Sequence, residues 1–335
     1  MKTAIFDTVG APLSIASDDE PSPGPSEVVI KIARCGICGS DLSMTDGRHG
    51  FVLPRGSRLG HEYCGEVVAL GRGVERLKIG DRIASMPAVG CGVCEWCAAG
   101  RPLLCPRARL FAGRFAEYLN VGERESVLLP GTVGLVEGAL IEPLAVALHG
   151  IRAAHITNDT RVVVIGPGPI GLGAIFWGRK LGAKRIAAIG TSVRRRDMAL
   201  IMGADAFLLQ GEGLTERLHE VLGGTPHVII ETVGATDSFG QAMDLVRNDG
   251  RVISLGICSG PMRMHSPLGT LKELTVIFSF AYSLRDFLDC VDMFDAGAVT
   301  PQAMVTGTIS LDQLPQCFED LRSSKEHCKV HVLPH

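Results

Sequence analysis

Between residues 161 and 171 the chain passes from Arg161-Val162-Val163-Val164-Ile165, a continuous apolar run, directly into Gly166-Pro167-Gly168-Pro169-Ile170-Gly171. No other stretch limits the fold as much. An unbroken β-branched run suits a strand buried on both faces, as in a parallel sheet covered by helices. The glycines then ask for a tight turn, a backbone that another group can approach, and a helix packed closely on the strand. Strand, turn and helix make the first half of a βαβ unit, and the helix N-terminus faces the place where a pyrophosphate would lie. Gly166, Gly168, Pro169, Ile170 and Gly171 are therefore candidate contacts to a dinucleotide. Further strands are predicted at 184–189, 227–231, 251–256 and 274–280, with a helical segment around 241–246 and another at about 285–296.

The end of the second of these strands bears on which dinucleotide. NAD binders place Asp or Glu about 20 residues past the glycines, against the ribose 2′-hydroxyl. Here Gly190 holds that place and Thr191-Ser192-Val193-Arg194-Arg195-Arg196 follow. Losing a carboxylate and gaining hydroxyls and guanidiniums suits a 2′-phosphate, which arginine can hold through two parallel hydrogen bonds. The reading favours NADP over NAD, with Thr191, Ser192 and Arg195 as its contacts. Successive arginines on a helix point about 100° apart, so one or two at most can reach a ligand.

Ahead of residue 142 the pattern differs. Short apolar runs at 27–32, 65–71 and 77–84 alternate with glycine and proline turns, which predicts a mostly-β half built as a small barrel or sandwich. Inside it lies Cys91-Gly92-Val93-Cys94-Glu95-Trp96-Cys97, with Cys105 following. Two successive C-x-x-C steps and a fourth thiolate can close a tetrahedral zinc site with no vacant position, which describes a structural site. Similar spacing can hold an iron–sulfur cluster, and zinc ribbons can bind nucleic acid. The ferredoxin context is missing apart from Pro106, and a net charge of -3 gives no basic excess for nucleic acid. A second cluster is split between Gly36-Ile37-Cys38-Gly39-Ser40-Asp41 and Gly60-His61-Glu62. Zinc that does chemistry takes about three N, S or O ligands and keeps a position open, and Cys38, His61 and a carboxylate would supply that set. A buried cysteine and an unrelated core histidine are the competing account.

At 335 residues, with 46% hydrophobic and 21% charged residues, the chain is long enough for two globular domains. Eleven cysteines, an odd number, argue against a disulfide framework. Met1-Lys2-Thr3-Ala4-Ile5-Phe6-Asp7 is broken by charge too early for a secretory signal, so a cytoplasmic location is expected. The uncharged run 162–177 is shorter than the roughly 20 residues of a membrane helix and is punctured by glycines, so no membrane partner is expected.

These motifs, in this order and with Glu142-Pro143-Leu144-Ala145-Val146-Ala147-Leu148-His149 between them, resemble the zinc-dependent medium-chain alcohol and polyol dehydrogenases, particularly the sorbitol and threonine dehydrogenase branches. The resemblance covers nearly the whole chain. It implies an α/β plus mostly-β fold: a GroES-like catalytic domain at 1–141 with a zinc lobe at about 88–110, a Rossmann domain with a doubly wound parallel sheet at 142–280, and a return of 281–335 to the catalytic domain. It implies two Zn2+ ions, one catalytic and one structural, and a homodimer or homotetramer. Cys38 and His61 would be catalytic zinc ligands, Glu62 a ligand or exchangeable partner, and Glu142 would take the place of the third ligand. Asp41 would orient His61, and Ser40 would accept the substrate proton. The implied reaction is reversible hydride transfer between a secondary alcohol or polyol and NADP, giving a ketone. The rivals are a zinc-independent quinone or enoyl reductase on the same scaffold, which lacks the paired zinc motifs, and a protein that binds NADP without turnover. Two positions depart from the family pattern. Ser43 stands where a histidine often carries the proton to solvent, with His49 as a substitute, and Arg114 stands where glycine is common. Arg48, His49 and Phe51 are candidate pocket residues.

Overall fold

The computed structural model describes residues 1–47, 53–110, 115–258, 260–324 and 326–335. The chain forms two compact units, Met1–Glu142 with Tyr282–His335, and Pro143–Ala281. The second contains a six-stranded, all-parallel sheet in the order Ala206–Leu209, Arg185–Gly190, Arg161–Ile165, Val228–Glu231, Arg251–Ser254, Thr275–Phe278. Numbered along the chain, the order is 3-2-1-4-5-6, so the winding reverses beside Arg161–Ile165, where such sheets bind ligands. Val162, Val163 and Val164 are fully buried, as a strand covered on both faces requires. Val163, Ile165, Ile229 and Val252 pack with Leu218, Phe239 and Met243 into one core.

The turn after the first strand depends on glycine for two reasons. Gly166 sits at φ +91°, a left-handed region that side chains avoid, and a Cβ on Gly171 would lie 2.2 Å from the Gly166 carbonyl oxygen. The Thr232 hydroxyl donates to the carbonyls of Ile165 (3.0 Å) and Gly166 (2.5 Å), stitching the turn to the neighbouring strand.

The first unit holds a seven-stranded sheet whose main path runs Val305–Ser310, Lys329–Leu333, Glu27–Gly36, Glu62–Leu70, Arg82–Ser85, Ser126–Leu128, with Tyr118–Gly122 also paired to Glu27–Gly36. Val28, Ile30, Ile32, Val67, Ile83, Val330 and Val332 fill its core. The α/β plus mostly-β architecture read from the sequence is the one the chain adopts. Boundaries differ in detail. The run 77–84 is strand only at Arg82–Ser85, and strand Ala206–Leu209 with helix Leu214–Leu222 was not foreseen. Helix Leu135–Ala153 runs through Pro143 and carries Glu142 in its interior.

Strand Lys329–Leu333 alternates, so Lys329 and His331 face away from the core that takes Val330 and Val332. His331 is fully buried, and neither ring nitrogen has a hydrogen-bond partner among the described residues. Burial, then the charges of Lys329 and Arg34, push its pKa down to about 3. An unfolded chain would protonate His331 near its ordinary 6.5, whereas the fold does not until about 3. Between those values the unfolded state binds the extra proton, so stability falls as pH drops, by at most about 1.4 kcal/mol per pH unit for one group. His331→Leu should therefore lose less stability than the native chain between about pH 6.5 and about pH 5, read as the shift of the urea midpoint. Equal losses in both proteins would contradict this assignment.

Candidate functional site

Strand Glu27–Gly36 gives way within two residues to helix Gly39–Thr45, with Cys38 at the helix N-cap. The fully buried Asp41 carboxylate accepts the backbone N–H of Cys38 through Oδ2 and that of Gly60 through Oδ1, each at 3.0 Å. Its Oδ1 also lies 3.4 Å from His61 Nδ1. One side chain thus fixes the start of the helix, the turn before His61, and the imidazole itself. Burial alone would raise the Asp41 pKa, but His61 and the two amides outweigh it and hold the carboxyl below its usual range. Burial likewise opposes a charge on His61, but Asp41 and Cys38 outweigh it and raise the imidazole well above its ordinary value. With Nδ1 turned to Asp41, Nε2 is the ring nitrogen left for another partner. At the far end of the helix, Arg322 donates to the Leu42 carbonyl (2.9 Å) and the Thr45 hydroxyl (2.5 Å).

Donor atoms of Cys38, His61 and Glu62 lie within 4.8 Å of one another. A thiol, an imidazole and a carboxylate form the kind of set zinc takes. Glu62 is fully buried, and both its oxygens accept from Lys329 Nζ at 2.6 Å, while Lys329 also donates to the Ile37 carbonyl at 3.0 Å. Burial works to lower the Lys329 pKa, but Glu62 and Cys38 outweigh it and hold it above the usual lysine value. Glu142 stands outside this trio. Burial pushes its carboxyl up to about 7, His61 pulling it down and Glu62 raising it further. It lies beside the Tyr282 hydroxyl, which is buried without a well-formed hydrogen bond among the described residues. Ser40 occupies the first turn of the helix, half-buried, and the Ser43 hydroxyl donates back to the Ser40 carbonyl at 3.1 Å. Arg48, His49, Phe51 and Arg114 lie outside the described residues. Sequence reasoning missed Lys329 and Tyr282. Lys329 meets Glu62 across 267 positions of chain, and no local pattern marks either residue.

The four cysteines of the lobe converge as well, with all their sulfurs within 4.8 Å. Cys94 and Cys97 are 3.5 Å apart and Cys91 and Cys97 4.0 Å. A tetrahedral zinc with bonds of about 2.3 Å needs sulfurs about 3.8 Å apart, so the group fits zinc closely. Backbone amides stabilise its thiolates. The N–H groups of Cys91 and Arg107 each point at Cys105 Sγ at 3.4 Å, and the amide of Val93 pulls the Cys91 thiol down to about 6.

In the parallel-sheet unit, Gly168 caps helix Pro169–Lys180 and donates to the Gly166 carbonyl at 2.8 Å, while Pro169 takes the first helical position, where a missing N–H does no harm. Ile170 and Gly171 complete the first turn. At the end of strand Arg185–Gly190, a Cβ on Gly190 would come 2.7 Å from the Phe207 ring, so a side chain there would need that ring to move. Thr191, Ser192, Arg194 and Arg196 are exposed and Arg195 half-buried.

Comparison with known proteins agrees with this geometry. Residues 24–131 match the alcohol dehydrogenase GroES-like domain, and residues 169–296 match the zinc-binding dehydrogenase family. Sorbitol dehydrogenase of Bacillus subtilis is 31% identical over 325 residues, 94% of this chain and 92% of that protein. L-galactonate-5-dehydrogenase of Escherichia coli is 31% identical over 316 residues, 92% of each chain. The crystal structure of a zinc-binding dehydrogenase of Sinorhizobium meliloti bound to NADP superimposes with a TM-score of 0.90 at 31% identity, covering 99% of both chains. With glycine turn, cysteine lobe and Cys38–His61–Glu62 cluster joined in one chain of this length, the protein belongs to the zinc-dependent alcohol and polyol dehydrogenases.

Proposed function

We propose that this dehydrogenase transfers hydride reversibly between a secondary hydroxyl of a polyol-type substrate and NADP, giving a ketone. The observation that carries the reading is the convergence of Cys38, His61 and Glu62 beside the buried Asp41 carboxylate. These three residues would hold the catalytic zinc, and Cys91, Cys94, Cys97 and Cys105 a second, structural one. When bound, zinc supplies a Lewis acid for the substrate oxygen and NADP the hydride acceptor. The remaining work falls to the chain. Asp41 fixes the tautomer and orientation of His61, which raises the basicity of the ligating nitrogen. Ser40 accepts the proton that leaves the substrate hydroxyl. Glu142, with its carboxyl near neutrality, and the Tyr282 hydroxyl beside it offer hydrogen bonds to further hydroxyls of the substrate. The names of the sorbitol and galactonate dehydrogenases, whose substrates carry several hydroxyls, favour the same substrate class.

NADP is favoured by Gly190, which supplies no carboxylate to hold a ribose 2′-hydroxyl, and by Thr191, Ser192 and Arg195 just beyond it. The division of labour assigns zinc and substrate to residues 1–141 and 281–335 and the nucleotide to 142–280. A homodimer or homotetramer in the cytoplasm completes the proposal. Among the described residues no helix is long and apolar enough to cross a membrane.

Two measurements test this reading. Cys38→Ala should abolish turnover and lower bound zinc from two ions to one per chain while NADPH binding, followed by fluorescence, persists. A variant with unaltered zinc content and turnover would refute the ligand assignment. In steady-state kinetics the native protein should show a lower KM for NADP than for NAD, and Arg195→Ala should raise the NADP KM about tenfold or more, as the loss of one hydrogen bond to a charged group implies. A native preference for NAD would overturn the cofactor assignment.

A further inference from the structure

A cavity of about 270 Å3 opens within the first unit at the base of the cysteine lobe, and neither Cys38 nor His61 lines it. Three charged side chains do: Arg76, Arg124 and Glu125. The turn between strands Tyr118–Gly122 and Ser126–Leu128 supplies two of them and holds the third. The buried Glu123 carboxylate accepts the amides of Glu75, Arg76 and Leu77, and Arg76 Nη2 donates to the carbonyls of Glu123 (3.0 Å) and Ser126 (3.2 Å). Arg76 is thereby fixed with Nε and Nη1 still able to donate. Arg124 lies against the lobe, where a Cβ on Gly92 would overlap its Nη1. Among the described residues Arg124 makes no hydrogen bond, and neither arginine forms an ion pair with Glu125 or any other carboxylate.

Glu125 is 7% exposed, and its Oε1 accepts the Gly90 amide at 3.1 Å. Burial raises its carboxyl above the ordinary value, against the pull of that amide and of Arg124. Guanidiniums and a buried carboxylate thus face one cavity without pairing, and a buried charge is stable only when it is answered. A ligand carrying both charges would answer both sides. Its carboxylate would lie on Arg76 and Arg124, since a guanidinium holds a carboxylate through two parallel hydrogen bonds, and its ammonium would donate to Glu125. Such a ligand is neutral overall, so it adds no net charge beside the cysteine thiolates, of which Cys97 lines the cavity; a simple anion would. Met86, Pro102 and Leu284 complete the walls with apolar surface, as a site for a small molecule requires. We propose that this cavity binds a free α-amino acid with an apolar side chain, at a site separate from the Cys38–His61–Glu62 cluster.

The test is titration calorimetry of the full-length, zinc-loaded protein with three probes of one shape: L-leucine, α-hydroxyisocaproate, which lacks the ammonium, and isoamylamine, which lacks the carboxylate. L-leucine should bind at millimolar concentration or below. Each of the other two should bind about tenfold more weakly or worse, as the loss of one hydrogen bond to a charged group implies. Arg124→Gln and Glu125→Gln should each weaken L-leucine binding by a similar factor. Should Glu125→Gln not fold, Arg124→Gln, at an exposed position, carries the same test. Because an amino acid can also chelate zinc, the titration is repeated with Cys38→Ala, where binding should persist. Binding lost in Cys38→Ala but kept in Arg124→Gln would put the ligand on the metal and overturn the proposal. Absence of L-leucine binding would also overturn it, as would equal affinity for α-hydroxyisocaproate, which would make the cavity a site for anions alone.

Discussion

The candidate metal site is organised by one buried carboxylate. Asp41 accepts the amides of Cys38 and Gly60 and faces His61 Nδ1, so two segments separated by some twenty positions in sequence are held by the same two oxygens. The first amide starts a helix and the second fixes a turn, which means that the local folding of each segment and the aim of each donor atom are one event. A carboxylate that accepts this many donors strongly favours its ionised form even when buried. Replacing Asp41 would therefore cost the positions of Cys38 and His61 together.

Around that anchor the site is an exercise in buried charge. Asp41, Glu62 and Glu142 bring three carboxyl groups into a small volume, against which the chain supplies His61 and Lys329. Buried charges persist only when they are paired or coordinate metals. Lys329 answers Glu62 directly, His61 answers Asp41, and Glu142 answers its burial by holding its proton up to near neutral pH. Cys38 and His61, brought together in this setting, are donor types that zinc takes once their protons are lost.

Much of this was legible in the sequence because it is local. The Gly166–Gly171 turn is written in six consecutive residues, and its need for glycine follows from backbone contacts within that turn. The four cysteines lie within fifteen positions and announce their shared ligand by spacing. Cys38, His61 and a carboxylate were legible as one set by residue type, whereas the backbone amides through which Asp41 joins their two segments were not. What could not be read were partners contributed by distant strands. Lys329 reaches Glu62 only because the C-terminal strand enters the sheet beside Glu27–Gly36, and Tyr282 reaches Glu142 only because the chain re-enters the first unit at that residue. Pro143 lies inside helix Leu135–Ala153, where the packing of fully buried Leu140, Ile141 and Leu144 outweighs the hydrogen bond it removes.

The proposed catalytic metal between Cys38 and His61 is distinct from the one proposed for the cysteine lobe. Anomalous scattering from crystals of the purified protein, recorded on both sides of the zinc absorption edge, locates both. One peak is expected among Cys91, Cys94, Cys97 and Cys105 and another bonded to Cys38 Sγ and His61 Nε2. A peak at the four cysteines with none at Cys38, in protein that turns over alcohol, would contradict the catalytic assignment.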